Sequence, residues 1–178
     1  MKGVVFTEFI DMVEARYSLR IVDLMISQSD IRSGGAYTSV GVYDHRELKS
    51  LLTRLSVLVE TPVEQLCREF GRHLFARLAA MYPTLVARYS NCFELLADLD
   101  QTIHAHVMLR IPDAQRLKIR YDHPSPDTMR IFYASPRGFA ALAHGLLQGC
   151  TDHFGESLQI ARLDTADETQ ACFLLSKP

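Results

Sequence analysis

The sequence predicts an α+β fold: a helical N-terminal half over about residues 1–110, then a C-terminal antiparallel sheet with one long helix over about 111–178. Three observations predict it. Apolar residues recur at helical spacing through the first half, the period changes beyond Pro112 to alternation in RLKIRY and TMRIFYA, and no internal repeat divides the chain. With 178 residues and 48% hydrophobic content, a single domain over 1–178 has enough apolar material for a substantial core, and two domains are not expected.

Val5, Phe9, Met12 and Val13 open the first helix, and Ile21, Leu24 and Met25 continue the pattern after a break at Tyr17-Ser18. SGGAYTS (33–39) is a loop, and RELKSLLTRLSVLVE is the next helix. Thr61-Pro62-Val63-Glu64 has the form of a capping box with proline at the first helical position, opening a helix through LCREFGRHLFARLAAM that Pro83 closes. FELLADLDQTIHAHVML (93–109) follows as a helix. RLKIRY, the turn DHPSPD and TMRIFYA form a hairpin with a long loop. Ser135 is expected to cap a helix that starts at Pro136 and is ended by Gly155, and the strands SLQIARL and ACFLLS finish the chain.

Composition excludes several function classes. A net charge of −2 with scattered Lys and Arg gives no electrostatic footprint for nucleic acid. The opening MKGVVFTEFIDMVEARYS carries Glu8, Asp11 and Glu14, so it reads as neither a signal peptide nor a membrane span, and a cytoplasmic protein is expected. Cys67, Cys92, Cys150 and Cys172 form no CxxC, which predicts reduced thiols rather than a disulfide framework or a zinc knuckle.

Two stretches carry chemistry. In FYASPR (132–137), Tyr133 and Ser135 leave a strand on one face, and Arg137 is expected in the first helical turn, at the positive end of the macrodipole. A phenol, a hydroxyl and a guanidinium converging beside free N–H groups suit a carboxylate or phosphate. The same letters also describe an ordinary capped turn with a solvated arginine. In the preceding helix Leu96, Leu99, Ile103 and Val107 make an apolar stripe, flanked on opposite shoulders by His104 and His106. Periodicity does not choose between these histidines, and either can equally be a packed core residue.

Taken together, MKGVVF, GAYTSVGVYDHREL (35–48), LADLDQTIHAHV (96–107) and Tyr133-Ala134-Ser135-Pro136-Arg137 resemble the heme nitric oxide/oxygen binding (H-NOX) domains, of the bacterial stand-alone type, over essentially the whole chain. The resemblance implies that Tyr133, Ser135 and Arg137 hold heme propionates. Matching Asp100-Gln101-Thr102-Ile103-His104 to the family helix selects His104 over His106 as the axial ligand of the iron. It also implies pocket walls at Val5, Phe9, Leu74, Phe75, Leu78, Ile103 and Leu142. Without a CxxCH the cofactor is expected to be non-covalent heme b.

In oxygen-binding members of the family a tyrosine on the helix after the motif donates to bound dioxygen. That position falls at or next to Leu142, within GFAALAHGLL, where no tyrosine occurs, so the resemblance implies an NO sensor that excludes O₂. His144 lies about 200° around the helix from Leu142 and is expected to face elsewhere. Release of His104 on NO binding would shift its helix and bias a separate partner, a histidine kinase or a cyclic-di-GMP enzyme. Some relatives hold zinc on four cysteines. Here Phe139 and Ala141 stand in place of the first pair and only Cys172 is comparable, so no structural zinc is expected, and Cys150 reads as a core thiol. The alternatives are a heme-free interaction domain of the same fold and, less favoured, a heme enzyme using His73. A hydrolase built on Ser135 is disfavoured by Pro136 and the missing G-x-S-x-G.

Overall fold

Phe6, Phe9, Met12 and Val13 repeat every three or four residues, which puts them on one helical face, and α1 (Gly3–Arg16) buries all four. The computed structural model describes residues 1–99, 118–163 and 167–178. At the break after α1, the Ser18 hydroxyl accepts the Ile21 amide at 3.3 Å and starts α2 (Leu19–Ser27). Asp44 does the same for α3 (His45–Val59), accepting the Arg46 amide at 2.9 Å. α4 (Val63–Met81) is followed by one turn, α5 (Pro83–Val86), which begins on the proline that closes α4. α6 (Cys92–Ala97) starts on Asn91, whose side chain accepts the Glu94 amide.

The C-terminal part has β1 (Lys118–Ser125), β2 (Thr128–Ala134), α7 (Ala140–His153), β3 (Gln159–Arg162) and β4 (Gln170–Ser176). The four strands form one sheet in the order β1-β2-β4-β3, each neighbouring pair antiparallel. Alternation sets its faces: Met129, Ile131 and Tyr133 on β2 and Ala171, Phe173 and Leu175 on β4 are buried, while Phe132 is exposed. The fold is therefore the expected α+β.

α7 divides the core. Ala141 and Leu142 join Phe6, Phe9, Leu52 and Phe70 of the N-terminal helices, whereas Ala140, Leu147 and Cys150 join Ile131 and Phe173 of the sheet with Leu95 of α6. α7 also lies against α4 with backbone touching backbone. A Cβ at Gly145 would fall 2.0 Å from the Arg68 carbonyl oxygen, and one at Gly71 2.4 Å from that of Leu142.

Three local expectations are corrected. Thr61 does not cap α4: its hydroxyl donates to the Val59 carbonyl and its own carbonyl accepts the Ser56 hydroxyl at 2.6 Å, so it belongs to the end of α3 and Pro62 takes the cap position. The hairpin loop is short, not long. Ser125 pairs with Thr128, leaving Pro126-Asp127 as the turn, and a register shift between Asp122 and Ser125 accommodates Pro124 on an edge strand. Finally, α7 starts at Ala140 rather than Pro136, because Gly138 takes φ +65° and breaks the run. Arg137 is thus outside the helix. Of the helix expected over 93–109, α6 covers the start; Ile103, His104 and His106 lie outside the described residues.

Candidate functional site

The segment from Ser135 to Phe139 is a turn held by its own backbone and by the sheet. Ser135 N–H donates to the Thr169 carbonyl at 2.8 Å, and Gly138 N–H to the Ser135 carbonyl at 3.2 Å. Tyr133 and Ser135 are both buried under this turn. The Tyr133 hydroxyl accepts the Phe139 amide at 3.2 Å, and the Ser135 hydroxyl accepts the Arg137 amide at 3.3 Å. Burial pushes the Tyr133 phenol above its ordinary range, with Ser135 and the Phe139 amide opposing the shift.

The helix after the turn has a cap that sequence reasoning missed. Ala140 N–H donates to the Glu168 carbonyl at 3.2 Å and Ala141 N–H to the Glu168 carboxylate at 2.9 Å, while Arg162 pairs with the same carboxylate at 2.9 Å. The positive end of α7 is therefore satisfied by Glu168, and the electrostatic reason to expect an anion moves from the macrodipole to Arg137 itself.

Arg137 is half-buried, and among the described residues no carboxylate stands within ion-pair distance of it. Its neighbours are cationic or titratable. Burial lowers the His45 pKa first, the Arg137 and Lys49 charges lower it further, and Asp44, 3.4 Å from its Nδ1, opposes them. Lys49 Nζ lies over the Phe139 ring, 5.3 Å from its centre. A guanidinium with no carboxylate partner among the described residues, carried on the turn that the Tyr133 and Ser135 hydroxyls close, fits a carboxylate-bearing group such as heme.

The structure gathers most of the expected wall residues. Val5 and Phe9 on α1, Leu74 and Leu78 on α4 and Leu142 on α7 belong to one apolar cluster, with Phe9 edge-on to Phe70 at 5.0 Å. Phe75 packs instead with the sheet-side cluster, 5.9 Å from the His153 ring. Two tyrosines border the first cluster with their hydroxyls engaged: Tyr37 donates to Glu47 at 2.7 Å, and Tyr43 accepts the Thr38 amide at 2.8 Å.

Other residues singled out in the sequence stand apart from that cluster. His73 faces the buried Glu8, 3.8 Å away, and Glu8 pairs with Arg77 at 2.7 Å; burial lowers the His73 pKa. His144 stacks obliquely on Phe173 at 5.3 Å, on the opposite side of α7 from Leu142. Cys92 and Cys150 are buried with their sulfurs 3.2 Å apart, and Cys172 is half-buried. A surface hollow between α4 and α7, lined by Arg72, His73 and Asp152, does not include Tyr133, Ser135 or Arg137.

The class so defined is a small α+β domain in which an arginine without a carboxylate partner among the described residues sits on the turn before α7, next to an apolar helical core. The sequence model of the Haem-NO-binding family matches residues 2–162, and the chain belongs to that family, whose members are heme-based gas-sensing domains rather than enzymes. It is 32% identical to the Fe(II) unliganded H-NOX protein from K. algicida, covering 100% of this chain and 97% of that one at a TM-score of 0.92. The IWP-051-bound H-NOX from Shewanella woodyi in the Fe(II)CO state is 34% identical, with 100% and 95% coverage and a TM-score of 0.85. An H-NOX protein from S. oneidensis in the Fe(II)NO state, 23% identical, covers 99% and 98% at a TM-score of 0.89 and shares the fold. No curated protein matches the chain.

Proposed function

We propose that this protein is a heme b sensor that takes NO in preference to O₂ and reports to a separate signalling protein, a histidine kinase or a cyclic-di-GMP enzyme. The observation that carries the NO preference is Leu142. It is buried and apolar beside Val5, Phe9, Leu74 and Leu78, and the hydroxyls of Tyr37 and Tyr43 are turned to other partners. A wall that offers no hydrogen-bond donor among its described residues would not stabilise polar dioxygen at the iron, whereas NO needs no such help.

Heme, when bound, supplies the ferrous iron at which the gas is taken. The chain's own residues divide the remaining work. Arg137 neutralises propionate charge, Tyr133 and Ser135 shape the turn that presents it, and the apolar cluster keeps water from the ring. In this reading His104 would hold the heme iron and Ile103 would be one of the pocket-wall residues. Their segment continues from α6, whose Leu95 and Leu96 pack against the sheet. A shift of the His104 segment on NO binding would give a partner two surfaces to distinguish. Heme is held without covalent attachment, no structural zinc is involved, and the protein is cytoplasmic. Among the described residues no helix is long and apolar enough to cross a membrane.

The test is the visible spectrum of the purified reduced protein, recorded alone, with NO, and in air. A five-coordinate ferrous Soret band that shifts with NO and ignores air supports the reading. Absence of a Soret band after expression with added heme overturns it in favour of a heme-free interaction domain.

A further inference from the structure

We propose that Lys49 and His45, on the first turns of α3, form a second cationic limb of the Arg137 site and receive the second carboxylate of a dianionic ligand. The inference rests on the heme reading above, because the two propionates supply that pair of carboxylates.

The two residues after Arg137 form the floor of this limb. Lys49 Nζ lies over Phe139, and a Cβ at Gly138 would fall 3.0 Å from that nitrogen, so the glycine leaves room for the ammonium. His45 is one helical turn before Lys49 and therefore on the same face, its ring edge-on to Phe139 with centroids 6.3 Å apart. Among the described residues Lys49 has no carboxylate within ion-pair distance. Glu168 also borders Gly138, but its carboxylate is committed to the Ala141 amide and the Arg162 guanidinium.

The charges around His45 come from every side. Arg137, Lys49 and the Met1 amino group disfavour its protonation, and Asp44 favours it. Such crowding of like charge is unfavourable in the ligand-free protein and is relieved when an anion settles among the cations. A carboxylate placed there would gain Lys49 as an ion pair and recruit His45 as an imidazolium donor. The limb joins α3 to the turn before α7, which the Ser135 amide in turn holds to the Thr169 carbonyl.

The protein is loaded with hemin or with hemin dimethyl ester, which has the same ring without free carboxylates, and transfer to excess apomyoglobin is timed. Lys49→Glu is expected to speed hemin loss about three- to tenfold, Lys49→Arg to leave it near wild type, and ester loss to be the same in all three. Hemin loss from Lys49→Glu equal to wild type overturns the second limb and leaves the heme reading standing. Uptake of neither hemin nor ester by the wild type overturns the heme reading and the limb with it. In the heme-free protein, an NMR titration of the His45 ring should move up in Lys49→Ala. An unmoved titration shows that the ammonium does not reach the imidazole and also overturns the limb.

Discussion

The Tyr133 hydroxyl accepts the Phe139 backbone amide across 3.2 Å, closing the turn that carries Arg137 between a strand and a helix. That amide is buried, so removing the hydroxyl leaves a donor without a partner. Tyr133→Phe is expected to destabilise the heme-free protein by about 1–3 kcal/mol. Urea denaturation measures it, and an unchanged midpoint would show that the turn is held without the phenol.

Arg137→Ala separates binding from stability. Its guanidinium has no acidic partner among the described residues and repels protons from His45, so the heme-free variant should be no less stable than wild type. Hemin affinity should fall about tenfold to a hundredfold, the range of a charged hydrogen bond. A hemin titration decides, and equal affinity would return this stretch to an ordinary solvated turn.

Gly145→Ala should be among the most damaging small substitutions. The added methyl would stand 2.0 Å from the Arg68 carbonyl oxygen, which is backbone and cannot swing aside. Forcing α4 and α7 apart should cost about 3 kcal/mol or more. A melting temperature close to wild type would mean the two helices slide without loss.

Acid should weaken the fold through its half-buried histidines. Burial lowers the His144 pKa below the ordinary 6.5, and Arg68 and Arg162 add to the shift; His73 and His45 move the same way. Between the folded value and 6.5 the unfolded chain binds more protons, so stability is full above the ordinary value and declines as pH falls below it. Urea midpoints at pH 7.5 and 5.5 should show this loss, and His144→Phe should remove part of it. An undiminished loss would assign the effect to other groups.

The iron and the gas are read by two further variants. His104→Ala should abolish the five-coordinate ferrous spectrum unless imidazole is supplied, while His106→Ala should keep it; the opposite pattern would exchange their roles. Leu142→Tyr places a donor on the apolar wall and should slow O₂ dissociation in laser-flash measurements. No slowing would put the gas beside a different residue.

Much of the architecture was legible because it is written within a few residues. The breaks at Ser18 and Pro83, the two-residue alternation of TMRIFYA and the Gly155 stop all depend on neighbours close in the chain, and each stands where the letters put it. Thr61 misled because its letters fit two local arrangements, and the Ser56 hydroxyl settled it as the end of α3. The hairpin misled because prolines suggested a long loop, although an edge strand needs no donor at Pro124.

Of the candidate site, the Tyr133-Ser135-Arg137 motif and membership of the Haem-NO-binding family were legible in the letters alone. Tertiary packing was needed to show that Glu168 satisfies the helix start from 27 residues away and that Lys49 and His45 stand beside the turn. The physical reason is range. Backbone conformation follows from contacts between near neighbours, whereas charge acts through space and a cap can come from any segment that packs nearby, so both are set by how α3, α7 and the sheet come together.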